Sequence, residues 1–509
     1  MTDVVIVGAG PAGLLLAGEL RLTGIDAVVL ERHSRRPDFC RGFNLNARAL
    51  DLLARRSLAE QLIAEGWQAP QAAFSGLPVT LGLAGTHTDH PYSLGIPQTR
   101  VEEFLEGHAL DLGADIRRGH EFRALDQDAE SVTVTVGTSD GDYRLRAAYV
   151  VGCDGGRSTV RKQAGIDFPG TASTRFTLLG DVELAEPEAL PFGVTAGPGG
   201  AVFVIPRPGY VRIVTADLNP PADKDAPVSL DLLQATVDEV LGRHVELRAP
   251  RWLTRFGDAA RQAAAYVRGR VVLAGDAAHI HPPAGAIGVN VALDDAFNLG
   301  WKLAATVRGD APAHLLDSYH SERHQAGAQV LANTQAQVLL SEAGERLGPL
   351  TDLLTRVAGH SAGNRAFAET ITGLDTRYDM YSDVDHPWLG RLAPNLTLDT
   401  RAGRTDLATL QTAGRGVLLD LTGADVVGEA AAGWADRVDI VAASCPARPE
   451  LRAVLVRPDG HTAWVGTTDH DSVDGLGQAL HHWHGPAAHH ATTATITVTA
   501  PTVTTARSR

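Results

Sequence analysis

Asp3-Val4-Val5-Ile6-Val7-Gly8-Ala9-Gly10-Pro11-Ala12-Gly13 decides the architecture of this chain. Residues 3 to 7 are an apolar, β-branched run and residues 14 to 22 carry helical periodicity, so the glycine-rich segment between them is a strand-to-helix turn. Asp26-Ala27-Val28-Val29-Leu30 is the next strand candidate, and it closes a βαβ unit whose parallel strands are buried on both faces. In a GxGxxG turn the first glycine permits the tight bend, the second lets a pyrophosphate approach the backbone, and the third lets helix and strand pack closely. Free amides and the positive end of the helix dipole then face the phosphates. Glu31 ends the second strand eighteen residues after Gly13, where a carboxylate accepts hydrogen bonds from ribose hydroxyls and repels a 2′-phosphate. Gly8, Gly10, Gly13, Glu31 and the adjacent Arg32 are candidate cofactor-binding residues. The turn alone does not separate FAD from NAD, because both contain an adenosine diphosphate.

Two later segments narrow the choice. The apolar runs at 148 to 151 and 270 to 274 read as distant strands of the same sheet, and each enters a Gly-Asp-containing turn. Gly152-Cys153-Asp154-Gly155-Gly156-Arg157-Ser158-Thr159-Val160-Arg161 follows the first, and Gly275-Asp276-Ala277-Ala278-His279-Ile280-His281-Pro282-Pro283 follows the second. Asp-Gly-x-x-Ser-x-x-Arg and Gly-Asp-Ala-x-His-x-x-x-Pro, in this order after an N-terminal GxGxxG, resemble the class A flavoprotein monooxygenases, the family of para-hydroxybenzoate hydroxylase. The likeness covers residues 1 to 340. The layout with a C-terminal α/β piece is similar to the phenol hydroxylase and polyketide hydroxylase branch, in which the last domain is thioredoxin-like. Arg41-Gly42-Phe43-Asn44-Leu45-Asn46-Ala47-Arg48 and Ile96-Pro97-Gln98-Thr99-Arg100 also resemble members acting on large actinobacterial polyketides, including rifampicin monooxygenases.

The resemblance implies FAD as cofactor and NADPH or NADH as co-substrate. It places Asp276 on the ribityl chain, Arg41 and Gln98 at the pyrophosphate and ribityl region, and Asp154 near the nucleotide, with a helix cap as the alternative role for Asp154. Pro283 joins the candidate cofactor contacts. Gly285-Ala286-Ile287-Gly288-Val289-Asn290 opens a helix that runs on through Leu303. Its N-terminus, with Gly288 and the amides near Val289 and Asn290, is expected to face the pyrimidine side of the flavin and to stabilise negative charge there. Ala286 and Ile287 stand where the branch commonly has the second glycine and the glutamine of Gly-Gly-Gln-Gly-x-Asn, which narrows the room beside the isoalloxazine. Catalytic side chains stay unassigned.

The expected fold is α/β and α+β: a Rossmann-like FAD-binding domain with an inserted antiparallel-sheet substrate domain and a C-terminal thioredoxin-like α/β domain. Residues 1–75, 95–168 and 256–385 form the first, 76–94 and 169–255 the second, 390–486 the third, and 487–509 a disordered tail. The inserted sheet is read from polar and apolar alternation over 170 to 255, as in Val202-Phe203-Val204-Ile205. Few breakers between 292 and 345 predict long helices.

A net charge of -15 disfavours nucleic acid and anionic lipid as partners. No leader or spanning apolar run is seen, and Cys40, Cys153 and Cys445 form no metal-ligand or C-x-x-C spacing, so a cytoplasmic, reduced monomer or homodimer acting on a small molecule is expected. His279 and His281 read as loop-packing residues, and the His481-His482-Trp483-His484 and His489-His490 clusters as a solvated tail rather than a metal site. The expected activity is oxygenation of a bulky polyketide-type or aromatic natural product. The alternative is a non-redox FAD-dependent [4+2] cyclase forming decalins in tetramate or spirotetronate biosynthesis.

Overall fold

A computed structural model describes the chain apart from residues 224–225, 343, 383–384, 425, 469–472, 474 and 489–509. His489, His490 and nearly all of the expected tail lie outside the described residues. Strand β1 (Thr2–Val7), helix α1 (Pro11–Leu22) and strand β2 (Ala27–Glu31) build the N-terminal unit. The helix starts three residues before its apolar periodicity, because Pro11 in the first turn has no amide to lose and a preset φ. Further along come α2 (Ala47–Ala54), α3 (Gln98–Asp111), the long strand β3 (Gly141–Gly152) and the short strand β4 (Val271–Leu273).

Parallel pairing sets the order β4, β3, β1, β2 and then Asp115–Arg118. Val4, Val5, Ile6, Val150, Val151, Val271 and Val272 are fully buried, as strands covered on both faces require. The chain leaves β1 toward β2 on one side and returns as β3 on the other, so a crevice opens at the carboxyl ends of β1 and β3. Helix α4 (Gly288–Arg308) packs against α1, and α5 (Leu315–Glu342) against α4.

A second sheet is wholly antiparallel, in the order 193–197, 200–207, 210–216, 176–184 and 247–257. The alternation over 170 to 255 is broken by an α-helix, Leu230–Leu241, which covers one face of that sheet with Leu233, Val237 and Val240. Its signals stood in the sequence: Ser229 caps the Leu232 amide, and Gly242 ends the helix in the left-handed region. The C-terminal segment forms a six-stranded mixed sheet over residues 397–467, with Trp464, Leu480 and Trp483 packed toward Trp301 of α4. Helix α6 (Ser361–Thr372) packs on the 71–82 hairpin. Among the described residues no helix is long and apolar enough to cross a membrane.

Candidate functional site

The three glycine-containing turns leave the carboxyl ends of β1, β3 and β4, which are neighbours in the sheet, so sheet order brings them together. A Cβ on Gly8 would meet the Cys153 carbonyl oxygen at 2.4 Å, and one on Gly275 would meet the Cβ atoms of Ala12 and Ala292 at 3.3 Å. The glycines of the first turn divide their work. Gly8 takes φ +110°, and a Cβ on Gly13 would lie 2.0 Å from the Gly8 carbonyl oxygen, so both are required for close packing. A Cβ on Gly10 would meet nothing within 4 Å. That open space lies at the uncapped N-terminus of α1 and fits a pyrophosphate.

Around this cradle lie the polar candidates. Glu31 accepts from the Ala9 amide at 3.0 Å and the His33 amide at 2.9 Å, which fixes the carboxylate beside the turn and leaves lone pairs for hydroxyl donors. Arg32 and Arg41 are exposed. Gln98 donates its amide to the Gly42 carbonyl at 2.8 Å, which holds the start of α3 against the loop carrying Arg41, while its side chain donates to Glu102 at 2.8 Å. Asp154 is occupied within its own turn, accepting from Ser158 Oγ and from the Thr159 and Val160 amides. It therefore caps the short helix 159–163. Asp276, in the turn after β4, is exposed and accepts no hydrogen bond from the described residues.

That turn is held from below. Asp295 of α4 accepts from the Gly275 amide at 2.8 Å and pairs with His279 Nε2 at 2.8 Å, and Arg323 binds its other oxygen. Burial alone would raise the Asp295 pKa, but Arg323 and His279 hold it at about 2. His281 lies against the Pro282 carbonyl, and Pro283 is exposed at the lip.

At the start of α4, Gly285 and Ala286 both take positive φ, +75° and +52°. The amides of Gly288 and Val289 donate to no described residue, whereas that of Asn290 donates to the Ile287 carbonyl at 3.0 Å. The Asn290 side chain accepts from the Asn46 amide at 2.8 Å and donates to the Asn44 carbonyl at 3.2 Å, so it ties the helix start to the 44–46 segment. The two free amides, the open space at Gly10, and the carboxylates of Glu31 and Asp276 together fit an extended dinucleotide with a hydroxylated linker.

A cavity of about 600 Å³ adjoins this point. Ile287, Asn290 and Val291 of the helix start form one wall, Phe74 and Phe367 an apolar side, and Asn46, Arg48 and Asp294 a polar end. Sequence reading missed this cavity and the buried ion network beneath it. In that network Arg48 and Arg323 both bind Asp294, and Arg457 binds Glu322 and Asp459, linking α2, α4, α5 and the C-terminal sheet. Asp294, Asp295, Asn298 and Lys302, polar residues at helical spacing inside an otherwise apolar helix-forming run, were the available signal. Among the described residues no group of three His, Cys, Asp or Glu side chains converges to hold a metal, and Cys445 is a buried free cysteine.

Known proteins resemble this chain along most of its length. Residues 1–334 match a family model described as FAD binding domain, and residues 386–487 one described as aromatic-ring hydroxylase, C-terminal. The chain is 44% identical over 504 residues to the 12-dehydrotetracycline 5-monooxygenase/anhydrotetracycline 6-monooxygenase of Streptomyces rimosus subsp. rimosus, covering 96% of this chain and 99% of that protein. It is 42% identical over 470 residues to the rifampicin monooxygenase of Streptomyces venezuelae, covering 92% and 96%. A dialkyldecalin synthase of Streptomyces rugosporus is 41% identical over 497 residues, covering 96% and 100%. The solved structure of an anhydrotetracycline hydroxylase from Streptomyces rimosus superposes with a TM-score of 0.90 at 44% identity, covering 96% of this chain and all of that one.

Proposed function

The chain belongs to the class A FAD-dependent monooxygenases, the aromatic-ring hydroxylase family, and on that footing we propose that it hydroxylates or oxygenates a bulky aromatic or polyketide-type molecule with NADPH or NADH and dioxygen. One observation carries this reading: the 600 Å³ cavity opens against the N-terminal turn of α4, so that a substrate in it lies beside the place offered to the isoalloxazine. The volume is that of a site for a drug-sized ligand. Relatives named for anhydrotetracycline and rifampicin support a substrate of that kind.

Bound FAD would supply the redox chemistry, electron transfer from the nicotinamide to dioxygen. The residues of this chain bind and orient. Gly8 and Gly13 hold the turn closely packed so that the space at Gly10 and the first amides of α1 receive the pyrophosphate together with Arg41, while Glu31 receives ribose hydroxyls with Arg32 beside it. Asp276 and Gln98 serve the ribityl hydroxyls, and Asp154 shapes the second turn. Pro283, Gly288, Val289 and Asn290 would border the ring system, and the free amides of Gly288 and Val289 would offer donors to negative charge on it. In this reading residues 1–75, 95–168 and 256–385 are a Rossmann-like FAD-binding domain, 76–94 and 169–255 a substrate domain, and 390–486 a thioredoxin-like domain. The protein works in the cytoplasm as a monomer or homodimer.

A second reading, a non-redox cyclase, is favoured by the Ala286-Ile287 departure and by similarity to a dialkyldecalin synthase. It requires only that the cavity hold two reacting ends of one chain in contact. The experiment mixes holoenzyme anaerobically with NADPH or NADH and follows flavin absorbance with and without a polycyclic phenol. Substrate-accelerated bleaching supports the monooxygenase. A flavin that stays oxidised while a polyene substrate cyclises without oxygen supports the cyclase.

A further inference from the structure

The turn between the last two strands of the C-terminal sheet, 451–456 and 462–467, carries Asp459 and His461 against the nucleotide-binding unit. His461 is fully buried, and its Nε2 lies 3.1 Å from Nη2 of Arg48 on α2. A guanidinium only donates, so Nε2 is the acceptor and the ring proton sits on Nδ1, 3.2 Å from Asp459 Oδ1. Burial, aided by Arg48 and Arg457 against the pull of Asp459, holds the imidazole pKa below its ordinary value and keeps the ring neutral.

From Arg48 the contacts run unbroken to a turn of the cofactor crevice. Arg48 binds Asp294 through Nε and Nη2 at 3.1 Å each, and Arg323 Nη1 donates to the same carboxylate at 2.6 Å. Arg323 Nε donates to Asp295 at 2.6 Å, and Asp295 accepts from the Gly275 amide at 2.8 Å, one residue before Asp276. A second route closes on the first: the Tyr378 ring lies 4.5 Å from the His461 ring, and its hydroxyl accepts from Arg323 Nη1 at 2.7 Å. Asn46, one residue before α2, also donates its amide to Asn290 at the start of α4.

We propose that His461 is a positioning residue for FAD, through which the C-terminal sheet fixes Arg48 and Arg323 and so the Gly275 turn and the start of α4. The inference rests on reading those two places as cofactor contacts, and it holds whichever reaction follows. Arg48 Nη1 has no acceptor among the described residues, so a guanidinium that also loses Nε2 keeps only Asp294 and is free to turn about it. Buried charges have few arrangements that leave none unpaired, and a turn at one end is therefore felt along the row.

The test measures FAD uptake by the apoprotein, the fine structure of the bound flavin's absorbance band, and thermal unfolding of the apoprotein. His461→Asn keeps a donor for Asp459 but draws the acceptor back from Arg48. It is expected to bind FAD about tenfold less tightly, the loss of one charge-assisted bond, and to alter the band. His461→Gln, whose Oε1 stands where Nε2 stood, should restore both toward wild type although it too loses the ring packed on Tyr378. A histidine that only stabilises the fold lowers the unfolding temperature in both variants and moves neither FAD affinity nor the band, and that result overturns the inference. If His461→Asn does not fold, hydrogen exchange of the wild type decides: coupling is reciprocal, so FAD should slow exchange at amides 459–462 more than at 438–444 of the same sheet, and equal slowing overturns the inference. Wild-type apoprotein that takes up no FAD overturns the cofactor site and this inference with it. Uptake by wild type with unchanged affinity in His461→Asn overturns this inference alone.

Discussion

Arg212, on the antiparallel strand 210–216, donates through Nη1 to the carbonyl oxygen of Arg41 at 3.1 Å, across 171 residues of chain. The same guanidinium binds Asp181 through Nε and Nη2 at 2.8 Å each and reaches the Cys40 carbonyl. Phe43 lies under Arg207 and Arg212, and Phe39 stacks on Trp252 at 4.7 Å. The loop that carries Arg41, the residue proposed to reach the dinucleotide, is thus shaped by the antiparallel sheet, and a change at Arg212 reaches that loop.

Removing that support should act on stability and on FAD retention. Arg212→Ala leaves Asp181 buried and unpaired, with an expected cost of about 3–5 kcal/mol in denaturant unfolding. Arg212→Lys keeps a charge near Asp181 but loses the bidentate geometry and the bonds to the Cys40 and Arg41 carbonyls. It should fold and retain FAD about tenfold less well, measured by equilibrium dialysis of the holoenzyme. Unchanged retention would detach the sheet from the cofactor loop.

Gly10 and Gly13 of the first turn should separate by experiment. Gly10→Ala adds a methyl where nothing lies within 4 Å, at an ordinary φ of -85°, so the apoprotein should keep its stability while FAD binding falls. Gly13→Ala forces its Cβ to 2.0 Å from a backbone oxygen and should cost about 3 kcal/mol or more in thermal unfolding. Equal losses of stability in the two variants would show that the space at Gly10 is packing space and not a cradle.

Asp295 predicts an acid limit. Its folded pKa, about 2, lies below the ordinary 3.8, so the pairing with Arg323 and His279 contributes stability that is present above pH 4 and is lost as pH falls through 2. The contribution is about 2 kcal/mol. Asp295→Asn should unfold more easily at neutral pH and show a shallower pH dependence of unfolding free energy between 4 and 2. A slope identical to wild type would place the acid sensitivity elsewhere.

Ala286 sits at φ +52°, in the region that favours glycine. The left-handed conformation costs a residue with a Cβ about 1–2 kcal/mol, and the added freedom of glycine in the unfolded chain returns about 0.5–1 kcal/mol of that. Ala286→Gly should therefore raise the unfolding free energy by about 0.5 kcal/mol or slightly more. It should also widen the space beside the ring system, seen as faster flavin reduction by NADPH in stopped flow. A slower reduction would argue that the alanine holds the loop in its working shape.

What the sequence determined by itself is local. Gly8 through Gly13, Asp154 through Arg161 and Gly275 through Pro283 are short turns whose conformations follow from glycine, proline and capping residues a few positions apart, so the nucleotide fold and the family resemblance were legible. Asp154 shows the boundary of that reading: its type and position were evident, but whether its carboxylate faces a ligand or its own helix depended on where the Thr159 and Val160 amides point. Tertiary structure alone decided the cavity, the Arg212 strut and the buried ions. Arg48 and Asp294 meet across 246 residues and Arg48 and His461 across 413, and no periodicity or motif encodes a contact made only after three sheets have packed. Burial then turns such charges from ordinary surface residues into a paired network, because a guanidinium removed from water persists only where carboxylates are waiting for it.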